Sequence, residues 1–448
     1  MTTTNNEATS GTQLIRQLGL WSAVFMCMSS EIGSGIFLVA TDIVNQLSSP
    51  LMGLLVWVVG GSITLTGALI FAELGTMFPQ AGGQYVFLRE AFHPLVAFLF
   101  GWTLIFVIQT GSIAGVAVAF AKFVTPFMPM SDIEKNIAAT LIIVALTMFN
   151  FFGIKRGSQL LDSITVVKIV ALVGFIAYVL LMAPAATASP IHFEVGNLSI
   201  SHFGVALLAA FWAFDGWYSI TFIAGEMKKP ERDIPISSLV AIIGTTTLYV
   251  LASYCYYRLL NHDQIAGSTF VAGDAIHVLA GEFGVKLIGV MVIISVLGCL
   301  NAMVISGARV VYAMAKDKVL PPSLAVLNHK SHSPNRALAL QMVWSIILVW
   351  SGKYDELFTY VIFGAFIFYG LTAFGVFWLR KKRPNVPRPY KVPFYPWLPG
   401  LYVLFTICFT ANSLFEKPKE SAAGLLIIAL GLPAYAIMRK MTAKHRSE

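Results

Sequence analysis

Two short segments set groups able to hold a zwitterion in the middle of long apolar runs. In Ser30-Glu31-Ile32-Gly33-Ser34-Gly35-Ile36-Phe37, two glycines flank a serine. Glycine favours unwinding, and unwound backbone away from water is tolerated only where protein or a polar guest lines it. The half-helix that restarts after such a break turns N–H donors and a positive dipole end toward a carboxylate. A small-residue packing face is the alternative, but GSG lacks the GxxxG spacing. In Phe211-Trp212-Ala213-Phe214-Asp215-Gly216-Trp217, an acid and a glycine stand between aromatics about 180 residues further on. One break offers donors and the other free carbonyls, so a molecule bearing both carboxylate and ammonium is the natural guest.

Few other polar groups lie at depth. Lys168, in Thr165-Val166-Val167-Lys168-Ile169-Val170, is a lone ammonium inside an apolar run, and such a group is functional by default. Its cost falls if burial removes its proton or a carboxylate pairs with it, and either links it to protons. A lysine snorkelling to an interface is the bland reading. Glu31 adds a negative charge beside the first break. It leads us to expect an ion pair with Lys168, a preference for substrates bearing extra positive charge, or a side chain in a wet vestibule. Gln109 and Asn301 either contact substrate or bond helix to helix. Glu73, Glu226 and Arg309, near the ends of their runs, are expected in a gate or interface.

Other chemistry finds no footing. GxxxxGK[ST], HExxH and GxSxG are all missing from the sequence, and no histidine is central in an apolar run, so nucleotide-driven pumping, zinc hydrolysis and serine hydrolysis are set aside. His329 and His332 lie in a basic loop and read as solvated. Cys27, Cys255, Cys299 and Cys408 show no CxxC spacing and read as small core residues. No catalytic residue, metal or cofactor is expected.

The elements that must position these groups follow from composition. Of 448 residues, 57% are hydrophobic before 36 glycines are counted, and only 12% are charged. Ordinary globular domains carry about 25% charge, so disorder, nucleic-acid binding and a cytosolic enzyme are excluded. Twelve runs long enough for a bilayer are expected at 18–47, 51–77, 94–124, 133–153, 159–183, 203–226, 236–260, 284–315, 337–351, 356–379, 397–414 and 421–438. Most of the 30 Lys and Arg fall in alternate loops, with Lys122, Lys135, Arg258, Lys286, Lys353, Lys417 and Lys419 on the other side. By the positive-inside rule both termini are cytosolic, the polar start is a tail and no leader, and Ala183–His202 is the longest outer loop. The +8 net charge is thus a topology signal, with Arg380–Arg383 an anchor or a lipid contact. Each break opens a five-helix block, the pointer to an inverted-repeat transporter. We therefore expect an all-α integral membrane fold with a tail at 1–17, repeats at 18–183 and 203–379, helices eleven and twelve at 397–438, and a tail at 439–448.

With these residues in view, nearly the whole chain resembles the amino acid/polyamine/organocation (APC) superfamily, specifically its L-amino-acid transporter (LAT) branch. The matching segments are Gly33–Phe37, Ala72–Thr76 running through Pro79 into Gly82–Tyr85, Phe214–Trp217 with Gly225–Met227, Pro230–Pro235 and Arg388-Pro389-Tyr390-Lys391-Val392-Pro393. The resemblance implies a LeuT-like five-plus-five fold with broken helices one and six, moving L-amino acids by sodium-independent exchange. A proton-coupled symporter or a carrier of cationic amino acids or polyamines is the alternative, and a membrane amino-acid sensor the reading from another class. It implies that Ser34 and Gly35 hold the substrate carboxylate, that the backbones of Trp212, Ala213 and Asp215 take the α-amino group, and that Trp212 is the gate. The substrate-binding set is then Ile32, Gly33, Ser34, Gly35, Trp212, Ala213, Asp215 and Gly216. Lys168 would stand where relatives bind sodium, with Glu31 as a second coupling candidate. Relatives that join a glycoprotein heavy chain do so through a cysteine after helix three; Thr125–Lys135 has none, so no disulfide-linked partner is expected. The expected partners are substrate and a plasma or inner-membrane bilayer.

Overall fold

A chain this apolar must close its backbone hydrogen bonds within each segment, and the computed structural model has α-helices throughout, with no strand among the described residues. It describes residues 13–47, 49–183, 199–352, 354–416 and 418–444. Most of the 183–202 loop, Lys353, Lys417, residues 1–12 of the first tail and 445–448 of the last lie outside the described residues.

The helices are α1 (Leu20–Glu31), α2 (Gly35–Gln46), α3 (Pro50–Met77), α4 (Gln84–Ala91), α5 (Pro94–Thr103), α6 (Gln109–Val124), α7 (Asp132–Asn150), α8 (Ile154–Met182), α9 (Ile200–Ala213), α10 (Ser219–Phe222), α11 (Pro230–Leu259), α12 (His262–Ala266), α13 (Val271–Lys316), α14 (Asn335–Ser351), α15 (Tyr354–Lys382), α16 (Trp397–Glu416) and α17 (Pro418–Lys444). A π-helical turn, Leu104–Ile108, joins α5 to α6. Proline opens α3, α5 and α11, where its missing N–H costs nothing. Ser131 and Glu134 cap α7 reciprocally.

Among the described residues eight helical spans are long and apolar enough to cross a bilayer, and α1 with α2, bent by 44°, makes a ninth. The chain is a multi-pass membrane protein. The remaining expected runs are occupied by α7, α9 and α14, which fall short of that length and composition. Large apolar side chains on the outer faces of α8, α16 and α17 stay exposed, among them Val170, Leu181, Leu401, Ile407, Leu426 and Leu430, as a lipid-facing belt requires. Inside that belt α1 packs on α8, α11 and α13, while α2 packs on α9. The two broken segments are thereby brought together at the centre.

Candidate functional site

The first break begins where α1 runs out at Ile32, whose backbone (φ −75°, ψ 80°) leaves the helix. Gly33 N–H turns back to Glu31 O at 2.8 Å, and α2 restarts at Gly35 behind Ser34. The Ser34 hydroxyl caps nothing, and the amides of Gly35 and Ile36 have no partner within the helix, while Phe37 N–H returns to Ser34 O at 3.1 Å. The segment therefore presents a hydroxyl and amide donors at a positive helix end.

Lys168 holds the other side of this break. Its Nζ donates to Ser29 O at 3.0 Å, Ser29 Oγ at 3.0 Å and Ile32 O at 2.7 Å. All three ammonium protons are used on the carbonyl end of α1, where a cation is favoured by the helix dipole. Ser295 of α13 donates to the same Ile32 carbonyl at 2.9 Å. Gly298 leaves room for this contact, since a Cβ there would stand 3.3 Å from Lys168 Nζ. The lysine is 1% exposed, so it does not snorkel. Nor does it pair with Glu31, whose carboxyl is 2% exposed and faces Cys27 and Thr245. The expectation of a Glu31–Lys168 ion pair or a wet Glu31 is corrected: Lys168 spends its protons on two carbonyls and the Ser29 hydroxyl, and α11 covers the acid.

The second break follows α9. Phe214 to Tyr218 turn, Gly216 adopts φ 95°, and α10 resumes at Ser219. Only glycine suits that conformation, and a Cβ there would meet Ser30 at 2.6 Å. Gly35 is equally constrained, because its Cβ would fall 2.7 Å from the Ala213 backbone. The two breaks thus touch backbone to backbone. Tyr249 of α11 bridges them, its hydroxyl 2.9 Å from Glu31 O and 3.0 Å from Ala213 O. Trp212 O accepts from Asp215 N–H at 3.2 Å. Glu31 O is filled by Gly33 N–H and Tyr249, while Ala213 O and Trp212 O keep a lone pair for a guest.

Above the breaks lies a cavity of about 950 Å³ with Ser34 and Trp212 at its floor. It is walled by Val116, Ala119, Phe123, Leu208 and Ile362, and opens past Lys122, Glu282 and Lys286 on the face opposite the start of α1. Asp215 does not line it. The acid sits beneath, between two small voids, with Tyr369 donating to it at 3.4 Å. Gln109 follows the π turn and borders one of those voids, donating to Met303 O at 2.8 Å. Asn301 lies apart from the cavity, accepting from Asn150 at 2.7 Å and donating to Gly157 O at 3.2 Å. Sequence reasoning missed Tyr249, Ser29, Ser295 and Cys299; each is a common residue on an apolar helix, with no spacing signal to mark it.

Below the breaks the bundle is shut. Trp217, Tyr218 and Tyr369 pack in one aromatic group with Phe71 and Phe366. Beneath them Arg309 grips Glu226 through two bonds of 2.8 and 3.0 Å, both side chains 1% exposed. Arg380 grips Glu73 at 2.9 and 2.6 Å, and Val392 N–H adds a third donor at 2.8 Å. Arg383 binds Glu90 at 2.6 Å and Arg89 binds Asp317. Arg380 and Arg383 are thus occupied inside the protein.

A family model described as Amino acid permease matches residues 18–437. The serine/threonine exchanger SteT of Bacillus subtilis (strain 168) is 29% identical over 96% of this chain and 98% of its own. The human cystine/glutamate transporter is 28% identical, covering 94% and 85%. The human b(0,+)-type amino acid transporter 1 is 29% identical, covering 95% and 88%.

Proposed function

Since the chain belongs to the amino acid permease family, we propose that it exchanges L-amino acids across a cell membrane by alternating access, without sodium. The observation that carries this reading is the contact of the two breaks, Gly35 against Ala213, at the floor of a cavity that Ser34 and Trp212 line. A carboxylate at that floor meets the Ser34 hydroxyl and the amides of Gly35 and Ile36. An ammonium meets the carbonyl end of α9, through Trp212, Ala213 and Asp215, while the expected Ile32 carbonyl is already taken by Lys168 and Ser295. Gly33 and Gly216 give the turns that expose these groups, and Trp212 is placed to cover a bound substrate. The walls meet the side chain of the substrate mostly with apolar groups, with Asp42, Lys122, Glu282 and Lys286 the charges that line the cavity.

Lys168 is the fixed cation of the site. Its three bonds to the end of α1 do the work an ion would do there, which supports independence from sodium. Twelve spans, repeats at 18–183 and 203–379, an added pair at 397–438 and cytosolic termini complete the reading. Relatives whose names specify exchange support antiport over symport. No disulfide-linked partner enters it, because no cysteine lies in Thr125–Lys135.

Uptake of a radiolabelled amino-acid panel into sodium-free proteoliposomes tests this. Strong stimulation by preloaded unlabelled amino acid, with no accumulation in empty vesicles when a proton gradient is imposed, is expected. Accumulation in empty vesicles driven by the gradient would replace exchange by symport, and no uptake of any amino acid would end the transport reading.

A further inference from the structure

Glu31 closes α1, and its carboxyl points to the back of the break, away from the cavity. Oε1 lies 3.4 Å from the Cys27 thiol, while Oε2 is buried with no hydrogen-bond partner. The hydroxyl of Thr245 on α11 faces it and is also buried without a partner. Every stronger donor nearby is committed elsewhere. Lys168 on α8 gives its three protons to Ser29 and Ile32, and the single proton of Tyr249 on α11 is shared between the Glu31 and Ala213 carbonyls. Cys299 on α13 donates to Ser30 O at 3.2 Å.

A carboxylate in this place would be a buried charge at the negative end of a helix, met only by a thiol and a hydroxyl. A neutral acid has a proton to give, and the idle Thr245 oxygen can take it. We propose that Glu31 is a proton-binding site on the back of the substrate-binding break, filled while the cavity is open as seen here, and that amino-acid exchange requires it to be filled. The inference rests on the exchanger reading and adds a second, ionic ligand to the same segment. Substrate meets the front of the break, Lys168 fixes one flank and the proton sits on the face against α11. Water reaches that face only when α1 moves relative to α11, so loading and release of the proton follow the state of the break.

Two readouts test this. Infrared spectra of the purified protein in lipid nanodiscs, recorded across pH, are expected to show the carbonyl stretch of a protonated carboxyl that fades on alkalinisation and is missing in Glu31→Gln. This readout needs no transport. Exchange in proteoliposomes at equal internal and external pH is expected to fall about tenfold per pH unit above its midpoint, whereas the rate that remains in Glu31→Gln is independent of pH. Absence of any Glu31-dependent band, or a wild-type pH profile in Glu31→Gln, overturns the proposal. Should Glu31→Gln fail to fold, Glu31→Asp carries the test: a band and profile that shift with the shorter acid support it, and a band left unchanged does not belong to Glu31 and overturns it. A Glu31-dependent band in a protein that exchanges no amino acid at any pH would overturn the exchanger reading while leaving the proton on Glu31.

Discussion

The two ends of the bundle are built from different materials. Toward the cavity, the broken helices are lined mostly by apolar side chains around about 950 Å³ of space, with Asp42, Lys122, Glu282 and Lys286 as the charged members of the lining. Toward the start of α1, the same helices are shut by aromatic rings and then by carboxylate–guanidinium pairs, one of them fully enclosed. An apolar wall can part and close with little change in solvation beyond area. A buried ion pair is different: its charges cost several kcal/mol each to desolvate and repay this only while the geometry holds. On the alternating-access reading proposed above, the sealed end would act as a switch with two discrete positions, and the cavity end as a surface that adapts to its guest.

The strongest test of this contrast lies at the boundary between the ends. Lys168→Met keeps the stem and removes three charge-assisted bonds, each worth about 1.5–3 kcal/mol, leaving Ser29 O without that partner. Exchange is expected to fall by about 100-fold or more, with the protein still inserted. Sodium-free counterflow measures it, and a loss of only a few fold would mean that packing with the Ser295 and Tyr249 hydrogen bonds suffices to hold α1.

Next in size is the enclosed pair. Removing one partner of a buried ion pair costs about 3–5 kcal/mol because the other is stranded, so Glu226→Gln should weaken the seal and admit thiol reagents from the side where α1 begins. Labelling of the native Cys299, 3% exposed beside the break, reports it. If Glu226→Gln labels no faster than wild type, the seal is aromatic and the pair only decorates it.

Much of this was legible in the residues. Glycine breaks in apolar runs and a lysine at depth are rare enough to announce themselves, and the helices follow from a chain that has no other way to satisfy its backbone. What stayed hidden depended on rotation about a helix axis. Glu31 lies two residues from Gly33, yet its direction is set by which face of α1 meets α8 and which meets α11, and nothing local encodes that. Asn301 illustrates the same limit: a polar residue on α13 turned to Asn150 and Gly157 instead of the cavity. Tyr249 was invisible because its role comes from reaching two carbonyls distant in sequence.

A third test belongs to the cavity floor. Gly35→Ala puts a methyl against the Ala213 backbone, and such overpacking costs about 1–3 kcal/mol. The two breaks must separate slightly, so substrate affinity should weaken by roughly tenfold while the sealed end keeps its slow thiol labelling. Equal change at both ends would show that the halves do not act as distinct parts.

The smallest effect comes from the sealed end itself and separates burial from charge as the source of its rigidity. Glu90 lies on α4, outside the membrane-spanning helices, and pairs with Arg383 across a half-open surface where 20% and 40% of the two side chains remain exposed. Burial works to raise the Glu90 carboxyl, but hydrogen bonds from Arg383 and Arg89 outweigh it and hold the group below its usual range. A carboxyl lowered on folding stabilises above its unfolded value and loses that contribution as pH falls through the folded one. Solvent screening limits an exposed pair to less than about 1 kcal/mol, so Glu90→Gln should lower the melting temperature slightly at neutral pH, with the gap to wild type closing in acid. Were Glu90→Gln to cost as much as Glu226→Gln, the number of charges would matter more than their enclosure, and the division between a sealed switch and an adaptable cavity would have to be redrawn.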